Sequence, residues 1–171
     1  ISGVRYLAIK SEAGHGSGFS TSSKTLYLPA ANGLNEVLDF TCEGYLSGYA
    51  EKDCPTRQFS GRIVGSTILG DKAIVTILLE IEYSIDGVTL FRKRQTAVYS
   101  NGPKSDEFKF DPELSSVTQE EIEMVYDGDS TLKKDDFVRL YRKELEKIAS
   151  IGSGSRRDWL KNYLPDFEPL R

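Results

Sequence analysis

Through its first hundred residues the chain alternates between β-rich runs and short polar breaks. Alternating or β-branched segments occupy Val4–Ile9, Thr25–Leu28, Val37–Tyr49, Gln58–Leu69, Lys72–Ile85, Val88–Ser100 and Glu107–Phe110. The pairs Gly70-Asp71, Asp86-Gly87 and Asn101-Gly102 lie in the gaps of the later runs, where two-residue hairpin turns favour Gly, Asn and Asp. The middle of the chain is therefore predicted to be a long antiparallel meander.

Beyond residue 111 the period lengthens to that of helices. In "SVTQEEIEMVYDG" Thr118 and Glu121 form a capping box, Ile122, Val125 and Tyr126 share a face, and Gly128 can end the turn. A second helix is expected in "TLKKDDFVRLYRKELEKIAS", where Phe137, Leu140, Tyr141, Leu145 and Ile148 make one apolar stripe. A third opens at Ser155 with Asp158 three residues on, turns Trp159, Leu160, Tyr163 and Leu164 inward, and stops at Pro165. The predicted fold is one α+β domain over residues 1–171, mainly strands in 1–111 and mainly helices in 112–171. It is a curved antiparallel sheet of six or seven strands followed by two or three C-terminal helices.

Composition narrows the function classes. A net charge of −4 with no basic run disfavours nucleic acid as a partner, and no segment reaches the roughly 20 apolar residues of a membrane span. Cys42 and Cys54 stand in "TCEGYLSGYAEKDCP", an even pair closely spaced in a turn-rich region, which predicts a disulfide in an oxidising compartment. That bridge makes the expected location extracytoplasmic, periplasmic or secreted, and the lack of any N-x-Ser/Thr acceptor favours a bacterial periplasm over a glycosylating secretory route.

Most catalytic motifs fail on inspection. The run "EAGHGSGFSTSSK" holds the only histidine, His15, but Phe19 replaces the third Rossmann glycine, no Gly-Lys-Ser/Thr follows, and Ser17 lacks the glycines of a nucleophile elbow. Gly16–Phe19 is similar to the opening of trypsin-fold periplasmic proteases, yet the stretch where their catalytic histidine belongs reads "TLYLPAANG". A solvated polar loop is the expectation for this run. One His and two Cys cannot assemble a zinc site. "DGDSTLKKDDFV" begins like a calcium loop with Asp127 and Asp129, but Leu132 replaces the turn glycine and Val138 the bidentate glutamate. Ser153, Ser155, Arg156 and Arg157 crowd a helix start, where Asp158 already supplies negative charge. No cofactor or metal is expected.

One constellation stands out. If the turns at Gly70-Asp71 and Asp86-Gly87 fix the register without interruption, Glu80 opposes Lys93 on the solvent face. Arg92 then lies beside Ile81, Arg94 beside Leu79, and Arg62 against Leu79. Arg62, Arg92 and Arg94 would gather on the apolar face with Val75, Ile77, Ile81 and Tyr83, needing helix carboxylates or a bound carboxylate or phosphate; a one-residue bulge would dissolve the cluster. The expected function is an extracytoplasmic, non-enzymatic binding protein, an inhibitor or immunity-type partner of another protein. Two alternatives stand beside it: a small-molecule carrier whose apolar pocket holds an anionic group on these arginines, and a pocket enzyme using carboxylates and Tyr83. An enclosed cavity above about 300 Å³ would favour the pocket classes, and a filled core with an exposed aromatic patch a protein partner.

Overall fold

The computed structural model describes residues 6–16, 19–46, 55–102, 105–126, 132–151 and 154–168. Seven strands form one open antiparallel sheet in chain order: β1 (Leu7–Gly16), β2 (Phe19–Ala30), β3 (Gly33–Leu46), β4 (Thr56–Leu69), β5 (Lys72–Ile85), β6 (Val88–Ser100) and β7 (Lys109–Phe110). The two central hairpins close as the sequence demands, Leu69 against Lys72 and Ile85 against Val88. Gly70, Asp86 and Gly87 take positive φ of 65°, 47° and 76°, the conformation that selects Gly and Asp in tight turns. The run around His15 departs from the expected loop. Its backbone is the end of β1 and the start of β2, with His15 paired to Ser20 across a register shift after Ala13.

Two bulges then overturn the uninterrupted register. From the first turn the pairing runs to Gly65 opposite Thr76, skips Val64, and resumes with Ile63 opposite Ile77 and Arg62 opposite Leu78. From the second turn it runs to Ser84 opposite Thr89, skips Leu90, and resumes with Tyr83 opposite Phe91, Glu82 opposite Arg92 and Glu80 opposite Arg94. Each extra residue flips every side chain beyond it, because strand side chains alternate faces. Lys93 therefore points inward and is paired with Ile81, while Arg62, Arg92 and Arg94 point to solvent.

Among the long strands the sheet is narrowest between β3 and β4. These strands pair only from Glu43–Leu46 to Arg57–Ser60, after which β4 follows β5 and β3 follows β2. Gly44 sits opposite Phe59, whose ring lies over it: a Cβ at residue 44 would stand 2.1 Å from Phe59 Cζ. On the other side of the opening the Phe108 amide donates to the Val37 carbonyl at 2.8 Å, tying the segment before β7 to the free edge of β3.

The helices cover the inner face. Thr118 caps α1 (Gln119–Glu121) as expected, accepting from the Glu121 amide at 3.1 Å, and the chain continues as a π-helical turn, Ile122–Tyr126. The long second helix is two pieces, α2 (Lys134–Leu140) and α3 (Arg142–Ile151), broken at Tyr141 with φ −116° and ψ 22°. The break lets Tyr141 enter an aromatic cluster in which its ring centre is 5.0 Å from Tyr83, 5.2 Å from Phe91 and 5.3 Å from Phe137. α4 (Ser155–Tyr163) adds Trp159, edge-on to Phe137 at 6.4 Å. Its N-cap is Gly154 at φ 58° without a side-chain cap bond, in place of the expected Ser155. Among the described residues the helical half thus holds four helical segments, α2 and α3 being the two pieces of the expected second helix.

Filling the space under the Phe59 ring should weaken the joint between β3 and β4. Phe59 is buried and braced edge-on by Tyr126 at 5.3 Å, so the ring cannot simply swing away. Gly44→Ala is expected to lower unfolding free energy by about 1–3 kcal/mol, the usual cost of overpacking. Urea denaturation followed by tryptophan fluorescence measures it, and an unchanged midpoint would show that Phe59 has room to move.

Candidate functional site

Two polar features mark the region where β4–β6 meet the helices. The first is interior. Glu121 is only 3% exposed, and its carboxylate accepts from Lys93 Nζ at 3.0 and 3.3 Å and from Gln95 Nε2 at 2.8 Å. Lys93 Nζ also lies 5.2 Å from the centre of the Tyr141 ring, so the ammonium is held by a carboxylate and an aromatic face together. Arg57 is buried nearby, donating to the Met124 carbonyl at 3.4 Å and standing 5.8 Å from the Phe59 ring centre.

Three tyrosine hydroxyls complete this interior. Burial pushes the Tyr83 hydroxyl up to about 12, against the opposing pull of the Arg57 charge and a hydrogen bond to Tyr141. Burial likewise raises Tyr141 and Tyr126, with the Tyr83 hydroxyl adding to the first and the Glu121 carboxylate to the second. Tyr83 and Tyr141 hydroxyls are 3.5 Å apart. The Lys93–Glu121 ion pair, with Gln95 donating to the same carboxylate, locks the α1 segment to β6.

The second feature is a groove of about 690 Å³ at the seam of β6 and α3. Its floor is apolar: Leu90, Phe91, Ile148 and the 72% exposed Ile151. Its rim is basic, with Arg92, Lys143, Lys147 and Arg156 against one carboxylate, Glu144. Lys143, Lys147 and Ile151 recur at helical spacing with Glu144 and Ile148, so one face of α3 supplies head-group charge and apolar contact alike. The Leu90 bulge supplies the other wall, since the extra residue brings Leu90 and Phe91 to the inner side in succession. Among the described residues Lys143, Lys147 and Arg156 form no ion pair, whereas Arg92 donates to Glu82 at 2.6 Å and holds that carboxyl below its usual range.

The residues singled out from sequence scatter between these places. Arg92 and Arg94 are 72% and 78% exposed and pair with Glu82 and Glu80 on the solvent face, and Arg62 is exposed beside them. The three share a face, but the bulges make it the outer one, so no apolar arginine cluster exists. Tyr83 lies on the opposite, inner face in the aromatic cluster. Only Arg92 reaches the large groove. A shallower hollow of about 290 Å³ runs along the outer face past Arg92, Arg94, Glu80 and Glu82, a ladder of matched charges.

The expected disulfide is also corrected. Cys42 is a free thiol, buried on the inner face of β3, where burial raises its pKa and it packs as a small apolar side chain; Cys54 lies outside the described residues. Asp127, Gly128, Asp129 and Ser153 lie outside them as well. Among the described residues no cluster of His, Cys, Asp and Glu is arranged to hold a metal, and no helix is long and apolar enough to cross a membrane. Arg157, in the first turn of α4, donates to the Ala149 carbonyl at 2.8 Å.

No known family model, curated protein or solved structure matches the chain, so the chemistry rests on its own residues. Sequence reasoning missed Arg57, Glu121, Lys93 and Gln95 because their roles depend on the register. The groove had a visible signal, the Lys143–Lys147 and Ile148–Ile151 stripe, masked by its resemblance to an ordinary amphipathic helix.

The raised tyrosines give the fold a pH dependence of definite sign. Because Tyr83 has a folded pKa above its ordinary 10.0, its stabilising contribution is complete below pH 10 and is lost as pH rises toward about 12. Stability should therefore fall across that alkaline window, and Tyr83→Phe should flatten the fall. Urea unfolding at a series of alkaline pH values measures both slopes; identical slopes would mean that the Tyr83 hydroxyl is not shielded.

Proposed function

We propose that the chain is a non-enzymatic binding protein that carries a small anionic amphiphile in the groove between β6 and α3. The carboxylate or phosphate of the ligand sits among Lys143, Lys147 and Arg156, and its hydrocarbon or aryl portion lies on Leu90, Phe91 and Ile151. The observation that carries this reading is three cations without an ion pair among the described residues, Lys143, Lys147 and Arg156, with the Glu82-paired Arg92 beside them, around an apolar floor on a chain whose net charge is −4. A basic rim confined to one concavity of an acidic protein selects for an anion rather than attracting polyanions in general. The volume lies within the range of about 300–1,000 Å³ common to small-molecule sites.

This reading takes the carrier class in preference to the inhibitor class, with Arg92 alone surviving from the expected arginine cluster as a rim residue. Catalysis through Tyr83 has little support, since the hydroxyl is buried in an aromatic cluster and stays protonated far above neutrality. The extracytoplasmic expectation leaned on the Cys42–Cys54 bridge; with the Cys42 thiol free, location plays no part in the proposal.

Calorimetry with laurate and with dodecyl phosphate, both below their micellar concentrations, tests it. Saturable one-site binding is expected, weakening as salt screens the rim. The pair Lys147→Glu and Arg156→Glu together should weaken binding by about tenfold or more, and Ile151→Asp by a similar factor, while Arg94→Ala changes nothing. Absence of saturable binding, or equal binding by all variants, would remove the groove as a ligand site.

A further inference from the structure

The outer half of β4 has an open edge. From Arg62 to Leu69 this strand pairs with β5 alone, and among the described residues no strand lies on its other side, because β3 departs after Glu43. Its side chains match that opening: Ile63, Val64, Ile68 and Leu69 are all exposed. Ile63 and Ile68 sit opposite Ile77 and Ala73, on the face that the helices cover further along β5. An apolar strand edge without a neighbour is the form that accepts another strand, and proteins commonly guard such edges with lysine or proline. β1, the edge strand at one end of the sheet, carries Lys10, ion-paired to Glu43 at 2.8 Å; the open stretch of β4 has no lysine or proline, and its single charge is Arg62 at one end.

We propose that this edge pairs antiparallel with the same edge of a second copy, about a two-fold axis at Thr67. Paired side chains share a face only if the axis passes through a residue, and Thr67 is the one that sets Arg62 against a carboxylate. Gly65, Thr67 and Leu69 lie on one face of β4, and Ser66 and Ile68 on the other. Centring on Thr67 sets Thr67 against itself, Ser66 against the partner's Ile68, and Gly65 against the partner's Leu69, so every pair meets on one face, as antiparallel pairing requires. The Val64 bulge then advances the count by one and brings Arg62 opposite the partner's Asp71 in the Gly70-Asp71 turn. Both residues are exposed and neither forms an ion pair among the described residues of its own chain. The pairing thus places opposite charges at both ends of the ladder. The ligand groove stands on β6, two strands away, and remains open in the dimer.

Sedimentation and crosslinking test the pairing directly. The wild-type chain should shift from monomer to dimer as its concentration rises through the sub-millimolar range, the behaviour of a small edge-to-edge contact. Arg62→Asp and Asp71→Arg should each weaken dimerisation by about tenfold, two symmetric pairs being lost at once, and the charge-swapped double variant should restore it. In a Cys54→Ser background, Thr67→Cys should form a disulfide-linked dimer on mild oxidation, because residues paired across antiparallel strands have Cα atoms about 4.5–5.5 Å apart, within disulfide reach. A chain that stays monomeric throughout that range, a double variant no better than the single changes, or a Thr67→Cys chain that does not crosslink would overturn the proposal. So would a monomer whose β4 edge takes only a foreign extended peptide.

Discussion

One extra residue in β6 governs the arrangement of the whole molecule. Because Leu90 has no partner on β5, every side chain from Phe91 onward faces the side opposite to that set by the Asp86-Gly87 turn. Lys93 and Gln95 turn inward, where Glu121 waits on the first turn of the helical half, and Arg92 and Arg94 turn outward to Glu82 and Glu80. Without the bulge, two guanidiniums would lie against the apolar inner face and the Glu121 carboxylate would be buried without its cation, a situation costing several kcal/mol. The same insertion sets Leu90 and Phe91 side by side as the wall of the groove. Register, interior charge pairing and ligand surface therefore share a single cause.

The interior pair shows how the sheet and the helices recognise each other. Thr118 and Glu121 were visible as a capping box, yet the Glu121 side chain does not turn back to its own helix start. It reaches across to β6 instead, leaving Thr118 to satisfy the Glu121 amide alone. The capping residue thus becomes a tether between the two halves of the domain. The aromatic cluster of Tyr83, Phe91, Phe137 and Tyr141 continues the contact, and the break at Tyr141 is what lets a ring from the helical layer enter it.

How far the sequence carried is best seen strand by strand. Lys72–Ile85 and Val88–Ser100 were bounded correctly because glycine and aspartate turns punctuate them sharply, and the meander order followed from short connections. The two bulges escaped because both fall inside apolar doublets, Ile63-Val64 and Leu90-Phe91, where an extra residue leaves hydrophobicity unchanged and only the phase of the alternation records it. That phase was legible in principle: Arg92, Lys93 and Arg94 cannot all face water in a strand. The doublets are the signal, since two apolar neighbours in an otherwise alternating strand are what a bulge tolerates. The run around His15 was misjudged for the opposite reason, its glycines and hydroxyls suggesting a loop where neighbouring backbone imposes a ladder. Nothing local announced the break at Tyr141, which tertiary packing of the aromatic cluster imposes.

The narrow joint between β3 and β4 has a consequence for how the protein comes into being. Every strand pairs only with its neighbour in sequence, so the sheet can be laid down from the N-terminus as the chain emerges, with few distant contacts to wait for. The four-pair joint divides that growth into a first hairpin stack, β1 to β3, and a second, β4 to β7, on which the helices close. Phe108, arriving late, reaches back to Val37 and clasps the two stacks together. Translation order thus matches the order of the strands, and the clasp can form once the segment after β6 has emerged, ahead of the helices.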